Sequence, residues 1–298
     1  MGARLRQVLI ACVAAVLIAI HTLVHASTLF VLALLKFALP VASWRRGLSH
    51  ALVAVAESWI AVNSALMATL GGTRIEIDGL DGLRRDEWYL VLCNHQSWVD
   101  IPVLQSVFNR RIPFMRFFLK RELIWVPVLG LAWWALDFPF MRRYSRAELE
   151  RRPELRGKDI EATRRACARY RDLPVSVMNF VEGTRYTPAK HAASGSAYRH
   201  LLPPRAGGVA FVLETMGDLM QAVLDVTVVY PQGRPSVTDL LSGRVRRVRV
   251  VVRRLAVPLD RLDGGYERNP EARARFQAWI NALWRDKDAT IEAILAES

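Results

Sequence analysis

The chain is poor in cysteine: Cys12, Cys93 and Cys167 are the only three in 298 residues, and they lie far apart. No CxxC pair occurs, which excludes a disulfide framework and a cysteine-rich zinc site and fits a reducing compartment. Proline (14) and glycine (17) are too few, and hydrophobic residues at 52% too many, for a largely disordered or collagen-like chain. Acidic residues are scarce beside basic ones, 28 against 41, which leaves a formal net charge of +13. There is no GxSxG elbow, no Walker loop, no HExxH helix and no internal repeat. These absences remove the usual serine-hydrolase, nucleotide-cleaving and zinc-peptidase forms. The length allows one large or two small domains with a sizeable core.

One long apolar run is present: residues 7–35 pass 29 positions without Asp, Glu, Lys or Arg. A hydrocarbon core about 30 Å thick needs roughly 20 apolar helical residues, so the run is long enough to span it. Arg4 and Arg6 resemble the start of a secretory signal, but the run is too long for one and continues past Ala26. His21, His25 and Ser27 interrupt its apolar character midway. A second helical stretch, 48–70, carries Leu52, Val55, Trp59, Ile60 and Leu66 with a single acid, Glu57. Two arrangements fit, a spanning helix or a helical pair seated in one leaflet. Basic residues stand at both ends (Arg4 and Arg6; Lys36, Arg45 and Arg46), so the positive-inside rule orients no span, whereas a pair puts both ends on one membrane face. Either way, residues 1–72 are read as an N-terminal membrane-attached helical region and 73–298 as an α/β domain.

The positive charge suits an anionic membrane, where each nearby Lys or Arg contributes about 1 kcal/mol. Nucleic acid is the rival partner for a basic protein. The densest basic patch, 244–254, has valines spaced like a strand packed on a core, and no zinc-finger spacing or RNP-like strand accompanies it. It reads as a solvated strand edge or a lipid-facing patch, and no nucleic-acid partner is expected.

Alternation over 74–78 predicts a strand. The apolar run 88–93 predicts a buried strand that delivers Asn94 and His95 to its end. Further strands are read over 113–119, 175–181, 223–230 and 245–255, and helices over 145–170, from 207 onward and from Asn269-Pro270 onward. The uncharged segment 123–136 is short for a span, contains Pro127, and reads as a buried or membrane-surface helix. Strands alternating with helices favour an α/β sandwich around one sheet.

The sharpest chemical feature is Asn94-His95-Gln96-Ser97-Trp98-Val99-Asp100. An imidazole near its ordinary pKa of about 6.5 suits general-base work on a hydroxyl, and a carboxylate can hold its other nitrogen. Five helical steps turn about 140°, so His95 belongs in a turn and Asp100 in the first turn of the helix that follows. Ser97-x-x-Asp100 also reads as a capping box, with the carboxylate satisfying backbone N–H groups. A second feature, Glu182-Gly183-Thr184-Arg185, follows a buried strand; Gly183 permits a tight turn and Arg185 can fork onto a phosphate, or pair locally with Glu182. Phe140-Met141-Arg142-Arg143 is a cationic phosphate contact or the basic end of a helix.

In this order the pieces resemble the glycerolipid acyltransferase family, which includes the 1-acylglycerol-3-phosphate O-acyltransferases. Its NHxxxxD block is met by Asn94, His95 and Asp100, its Phe-x-x-Arg block by Phe140 and Arg143, and its Glu-Gly-Thr-Arg block by Glu182, Gly183, Thr184 and Arg185. Its short apolar strand ending in proline is met by Val228-Val229-Tyr230-Pro231. Residues 200–205 and 225–231 resemble the branch of bacterial inner-membrane enzymes and animal lysophosphatidate and lysocardiolipin enzymes.

The resemblance implies a single mixed sheet flanked by helices, with an N-terminal membrane-attached helical pair. It implies acyl transfer from an acyl thioester, acyl-CoA or acyl-carrier protein, to a lysophospholipid hydroxyl, with 1-acylglycerol-3-phosphate giving phosphatidate. His95 is then the general base and Asp100 orients it. Arg143 and Arg185 hold the acceptor phosphate, and Glu182 positions Arg185 or the acceptor. Asn94, Phe140, Gly183, Thr184 and Pro231 complete the substrate-binding set. Trp125, Trp133 and Trp134 help to seat the acyl chain at the membrane boundary. The thioester is already activated, so neither a metal nor another cofactor is expected. The implied location is the cytoplasmic membrane, with the site on the cytosolic side. Two other readings stand beside this one: a non-catalytic basic protein that binds lipid or nucleic acid at a membrane, in which His95 and Asp100 are dispensable, and a lipid hydrolase that gives the same pair water.

Overall fold

A computed structural model of the chain describes residues 2–297 apart from 40, 118, 127, 128, 139, 142–150, 152–167, 172, 264 and 267. Two long helices, α1 (Gly2–Ala38) and α2 (Ala42–Thr69), come first. There follow β1 (Arg74–Asp78), β2 (Tyr89–Cys93), α3 (Asp100–Phe108), β3 (Met115–Phe117), β4 (Leu119–Lys120), α4 (Leu129–Ala135) and β5 (Phe140–Met141). The remainder comprises β6 (Ser176–Phe180), α5 (Pro188–Ser194), α6 (Ala206–Met216), β7 (Ala222–Val229), α7 (Val237–Leu241), β8 (Arg247–Leu255) and α8 (Pro270–Ala296).

Six strands form one mixed sheet in the order β1-β8-β7-β2-β6-β3, and β4 and β5 make a separate two-stranded ribbon. β7, β2, β6 and β3 run parallel, while β8 is antiparallel to β7 and parallel to β1. Side chains alternate across the sheet, as a strand period of two requires. Leu90, Leu92, Val177 and Val223 pack beneath α6 and α8, against Leu213, Phe276 and Trp284. Tyr89, Val91, Leu224 and Val250 face the other way, toward Leu104 and Phe108 of α3. Both faces are covered, so the central strands are near-continuous apolar runs. Asn269 opens α8 as its N-cap, accepting from the Glu271 and Ala272 N–H groups, with Pro270 at the first turn.

Three readings of the sequence change, and a fourth lies almost wholly outside the described residues. α1 is continuous through His21, His25 and Ser27, because its polar side chains find partners across the helix pair: His21 Nε2 lies 3.2 Å from Asn63 Oδ1, and His25 Nε2 lies 3.2 Å from Ser58 Oγ. Segment 123–136 is divided: a 3₁₀ turn at Arg121–Trp125 precedes the short helix α4, and Pro127 stands between them in the sequence. The helix read over 145–170 falls almost wholly outside the described residues; the described segment at its end, Ala168–Arg171, is a 3₁₀ turn.

The basic patch does not form a strand edge. β8 sits between β1 and β7, and its arginines meet carboxylates: Arg247 and Arg249 reach Glu76 at 2.9 and 3.1 Å, Arg253 reaches Asp225 at 2.6 Å, and Arg254 reaches Glu87 at 3.0 Å. The acids come from β1, β7 and the loop before β2. Cross-strand register created these pairs, and spacing along the chain does not reveal it.

α1 lies against the domain. Leu29 and Ala33 pack with Leu52 and Ala56 of α2, with Ala135 at the end of α4 and with Leu136 just after it. Lys36 reaches Asp137 at 2.6 Å. The outward side of α1, including Leu5, Leu9, Val16, Leu23, Val31 and Leu34, is exposed and apolar. Both α1 and α2 are long and apolar enough to cross a membrane by length and composition.

Candidate active site

Three parallel strands lie side by side; β2 and β6 end together, with Cys93 paired to Phe180, and β7 continues three residues past Val226, the partner of Cys93, to Val229. The segments that leave them therefore converge at the carboxyl edge of the sheet, the usual site of ligand binding in α/β folds. They carry Asn94 to Asp100, Glu182 to Arg185 and Tyr230 to Pro231.

Asn94 fixes the first loop to β7. Its Nδ2 donates to the Val228 carbonyl and its Oδ1 accepts from the Val228 N–H, both at 2.9 Å. His95 follows in the turn, and Asp100 is the first residue of α3. Asp100 is fully buried, and four donors converge on it. Its Oδ2 lies 2.9 Å from His95 Nδ1, 2.7 Å from the Gln96 N and 2.9 Å from the Ser97 N, while Tyr230 donates its hydroxyl to Oδ1 at 2.6 Å. The carboxylate thus holds the histidine and satisfies two backbone N–H groups, but the capping box is not completed: Val99 is the N-cap of α3 and the Ser97 hydroxyl does not accept from the Asp100 N–H. The carboxylate is an acceptor, so Nδ1 carries the proton and Nε2 of the neutral ring keeps its lone pair. Phe180 stacks on the imidazole at 3.9 Å between centroids and 13° between planes, fixing the ring's orientation.

Glu182 is buried behind the turn. Its Oε1 accepts from the His95 N at 3.1 Å and its Oε2 from the Leu202 N at 3.3 Å. Burial pushes its pKa up to about 8, against the pull of those two N–H groups. It makes no ion pair with Arg185 among the described residues, so its contacts go to the His95 loop instead. Gly183 has φ +69°, and a Cβ there would come within 3.2 Å of Arg205 Cδ. The left-handed backbone and the close approach of Arg205 both call for glycine.

Arg185 lies with its guanidinium 4.3 Å from the centre of the Trp98 ring. Thr184 accepts from Lys190 Nζ at 2.7 Å. Pro231 follows Tyr230 out of β7, and Phe140 sits in the β4–β5 ribbon. Arg143 lies outside the described residues. Cys93 is buried beside the turn, and burial raises its thiol pKa well above the ordinary value, which keeps it protonated and a poor nucleophile. Among the described residues no cluster of His, Cys, Asp and Glu is arranged to hold a metal ion.

His95 and Trp98 open onto a cavity of about 1030 Å³. Its walls are mainly apolar and come from α1, α2, α3, α4, α7 and the segments around β3 and after α4, with Leu29, Ile60, Phe117, Trp133 and Phe138 among them. Trp125, by contrast, is 85% exposed and is not part of the wall. Sequence reasoning marks Tyr230 only as part of a family-like strand and passes over Phe180, because contacts 130 and 85 residues from Asp100 and His95 leave no local pattern.

A mixed sheet covered on both faces, with a histidine–carboxylate pair at the end of β2 and an apolar helical pair beside it, places the chain in the α/β class with its candidate site at the carboxyl edge of the sheet. A family model described as Acyltransferase matches residues 74–231, just over half of the chain, and the chain belongs to that family. It is 28% identical over 253 residues to lysocardiolipin acyltransferase 1 of Danio rerio, covering 80% of this chain and 60% of that one. To 1-acyl-sn-glycerol-3-phosphate acyltransferase delta of Mus musculus it is 25% identical over 213 residues, covering 67% and 51%. The chain thus spans less than two thirds of the length of these curated relatives. The crystal structure of the 1-acyl-sn-glycerophosphate (LPA) acyltransferase PlsC from Thermotoga maritima superposes with a TM-score of 0.53 over 97% of each chain at 16% identity, which shows a shared fold.

Proposed function

We propose that this protein is an O-acyltransferase that moves a fatty acyl group from a thioester, acyl-CoA or acyl-carrier protein, to the free hydroxyl of a lysophospholipid. The first acceptor to test is 1-acylglycerol-3-phosphate, which gives phosphatidate. The observation that carries this reading is the position of His95: its ring borders a large apolar cavity, while its Nδ1 is held by a buried carboxylate.

In the proposed reaction Nε2 of His95 takes the proton of the acceptor hydroxyl as its oxygen attacks the thioester carbonyl carbon. The C–O bond forms, the C–S bond then breaks, and the leaving thiolate recovers the proton from the imidazolium. Asp100 stabilises that imidazolium and holds its ring, and general-base help of this kind is worth about 10²–10⁴-fold. The products are an ester and a free thiol. Arg185 binds the acceptor phosphate from its place on Trp98, and the cavity along α1 and α2 receives acyl chain.

We further propose that α1 and α2 lie in one leaflet of the cytoplasmic membrane, with the site on the cytosolic side where acyl thioesters occur. The helix pair is docked on the domain by its inner side, so its outer apolar side is free for lipid, and exposed patches of that kind mark membrane contact. Residues 1–72 then act as the membrane-attached region and 73–298 as the catalytic domain.

A panel of donors and lysophospholipid acceptors, incubated with purified protein in detergent or lipid and read by mass spectrometry, tests the reading. A new acyl ester dependent on both substrates supports it. Release of free fatty acid without ester overturns it in favour of hydrolysis, and turnover of neither overturns enzymatic transfer. Complete release of the protein by carbonate extraction would contradict integral attachment.

A further inference from the structure

All four arginines on β8 are ion-paired, but three arginines elsewhere, around the catalytic turn, are not. Arg185, Arg205 and Arg234 have no carboxylate partner among the described residues. Arg234 belongs to none of the four sequence blocks, yet it is the most firmly placed of the three. Its guanidinium lies 3.6 Å from the centre of the Tyr186 ring, and its Nε donates to Gln96 Oε1. Gln96 is itself buried, is the residue after His95, and donates from Nε2 to the His200 carbonyl at 3.3 Å. Tyr186 in turn donates its backbone N–H to the His95 carbonyl at 2.7 Å.

The loop that carries Arg234 is pinned along its length. Tyr230 before it holds Asp100, and Pro235 after it accepts from Ser97 Oγ at 2.5 Å. Gly233 takes the turn at φ +98°, and Ser236 caps α7 by a reciprocal bond with Asp239. One loop is therefore tied to residues 96, 97 and 100 of the catalytic turn. The cation it presents is preorganised: stacking and the Nε bond fix the plane, and both terminal nitrogens have no partner among the described residues. An arginine held this way is suited to a phosphate ester, which accepts from two nitrogens at once.

We infer that Arg234 is a further phosphate-contact residue of the transfer site and helps to set which phosphate-bearing substrate is accepted beside His95. The inference rests on the acyltransferase reading for the identity of its ligands. A phosphate ester occurs both on the acceptor head group and on the pantetheine-linked donor, and the experiment separates these sources.

Binding of coenzyme A, of micellar 1-acylglycerol-3-phosphate and of phosphate-free monoacylglycerol is measured by calorimetry on the full-length wild type, Arg234→Gln and Arg234→Lys. Steady-state transfer is measured alongside. Loss of a charge-assisted contact predicts Kd and KM about tenfold higher for one phosphate ligand in Arg234→Gln, with kcat little changed. Arg234→Lys should recover part of the loss, and monoacylglycerol binding should not respond. A change for the lysophospholipid assigns the head group, and a change for coenzyme A assigns the donor. Unchanged affinity for both ligands in Arg234→Gln overturns the inference, as does a fall in kcat alone, which would make Arg234 a support for Gln96. Wild type that binds these ligands through Arg234 but transfers no acyl group would sink the acyltransferase reading and leave the phosphate contact standing.

Discussion

Two regions of this molecule are built from the same charged residue types and use them in opposite ways. On one side of the sheet, β1, β7, β8 and α8 enclose their cations. Lys287 is fully buried 2.7 Å from Asp225, whose other oxygen is held by Arg253, while Arg247 and Arg249 share Glu76. At the carboxyl edge of β2, β6 and β7 the acids turn inward instead. Asp100 and Glu182 hold the His95 turn, while Arg185 and Arg234 stack on Trp98 and Tyr186 with no carboxylate partner among the described residues. The net charge of +13 therefore says little by itself. In these two regions the difference is that the β8 arginines have carboxylate partners, whereas Arg185 and Arg234 have none among the described residues.

This contrast can be tested by asking which variants lose rate and which lose stability. The largest effect is expected for Asp100→Asn, which keeps the shape but removes the charge that fixes the His95 tautomer. Acyl-transfer kcat should fall by about 10²–10⁴-fold, read in the mass-spectrometric assay. Lys287→Met should do the reverse. Removing one partner of a buried pair costs about 3–5 kcal/mol, and the lower end applies because Arg253 still holds Asp225. Denaturant titration should show that loss, while kcat of the folded fraction stays near wild type. A large rate effect with no loss of stability would break the contrast.

Glu182 gives a smaller, pH-dependent signal. Its folded pKa of about 8 lies above the ordinary 4.5, so between those values the folded state holds a proton that the unfolded chain has released. Its contribution to stability is complete below the lower value and is lost as pH rises through the upper one. Across that window Tm of the wild type should fall more steeply with pH than Tm of Glu182→Gln; parallel curves would contradict the assignment. Smallest of all is Arg247→Ala. Its pair with Glu76 is partly exposed, so the expected cost is under about 1 kcal/mol by thermal melting, with no change in transfer rate.

Local order was legible in the chain wherever it is written locally. The alternation at 74–78 coincides with β1, Asn269-Pro270 opens α8, and the five-step spacing of His95 and Asp100 puts one in a turn and the other at a helix start. Contacts between distant segments were not. The Tyr230 bond to Asp100, the Phe180 ring on His95 and the acids facing β8 depend on strand order and register, which a pattern of residue types does not carry. The continuity of α1 belongs to the same group. His21 and His25 look like interruptions until α2 supplies Asn63 and Ser58.

The most direct test of the central claim, that the imidazole of His95 draws the proton from a lipid hydroxyl, is single-turnover acyl transfer to 1-acylglycerol-3-phosphate by wild type and His95→Ala of equal thermal stability and equal lysophospholipid affinity. The account predicts a chemical step slowed by about 10²–10⁴-fold with binding unchanged. Equal single-turnover rates in the two proteins would contradict it.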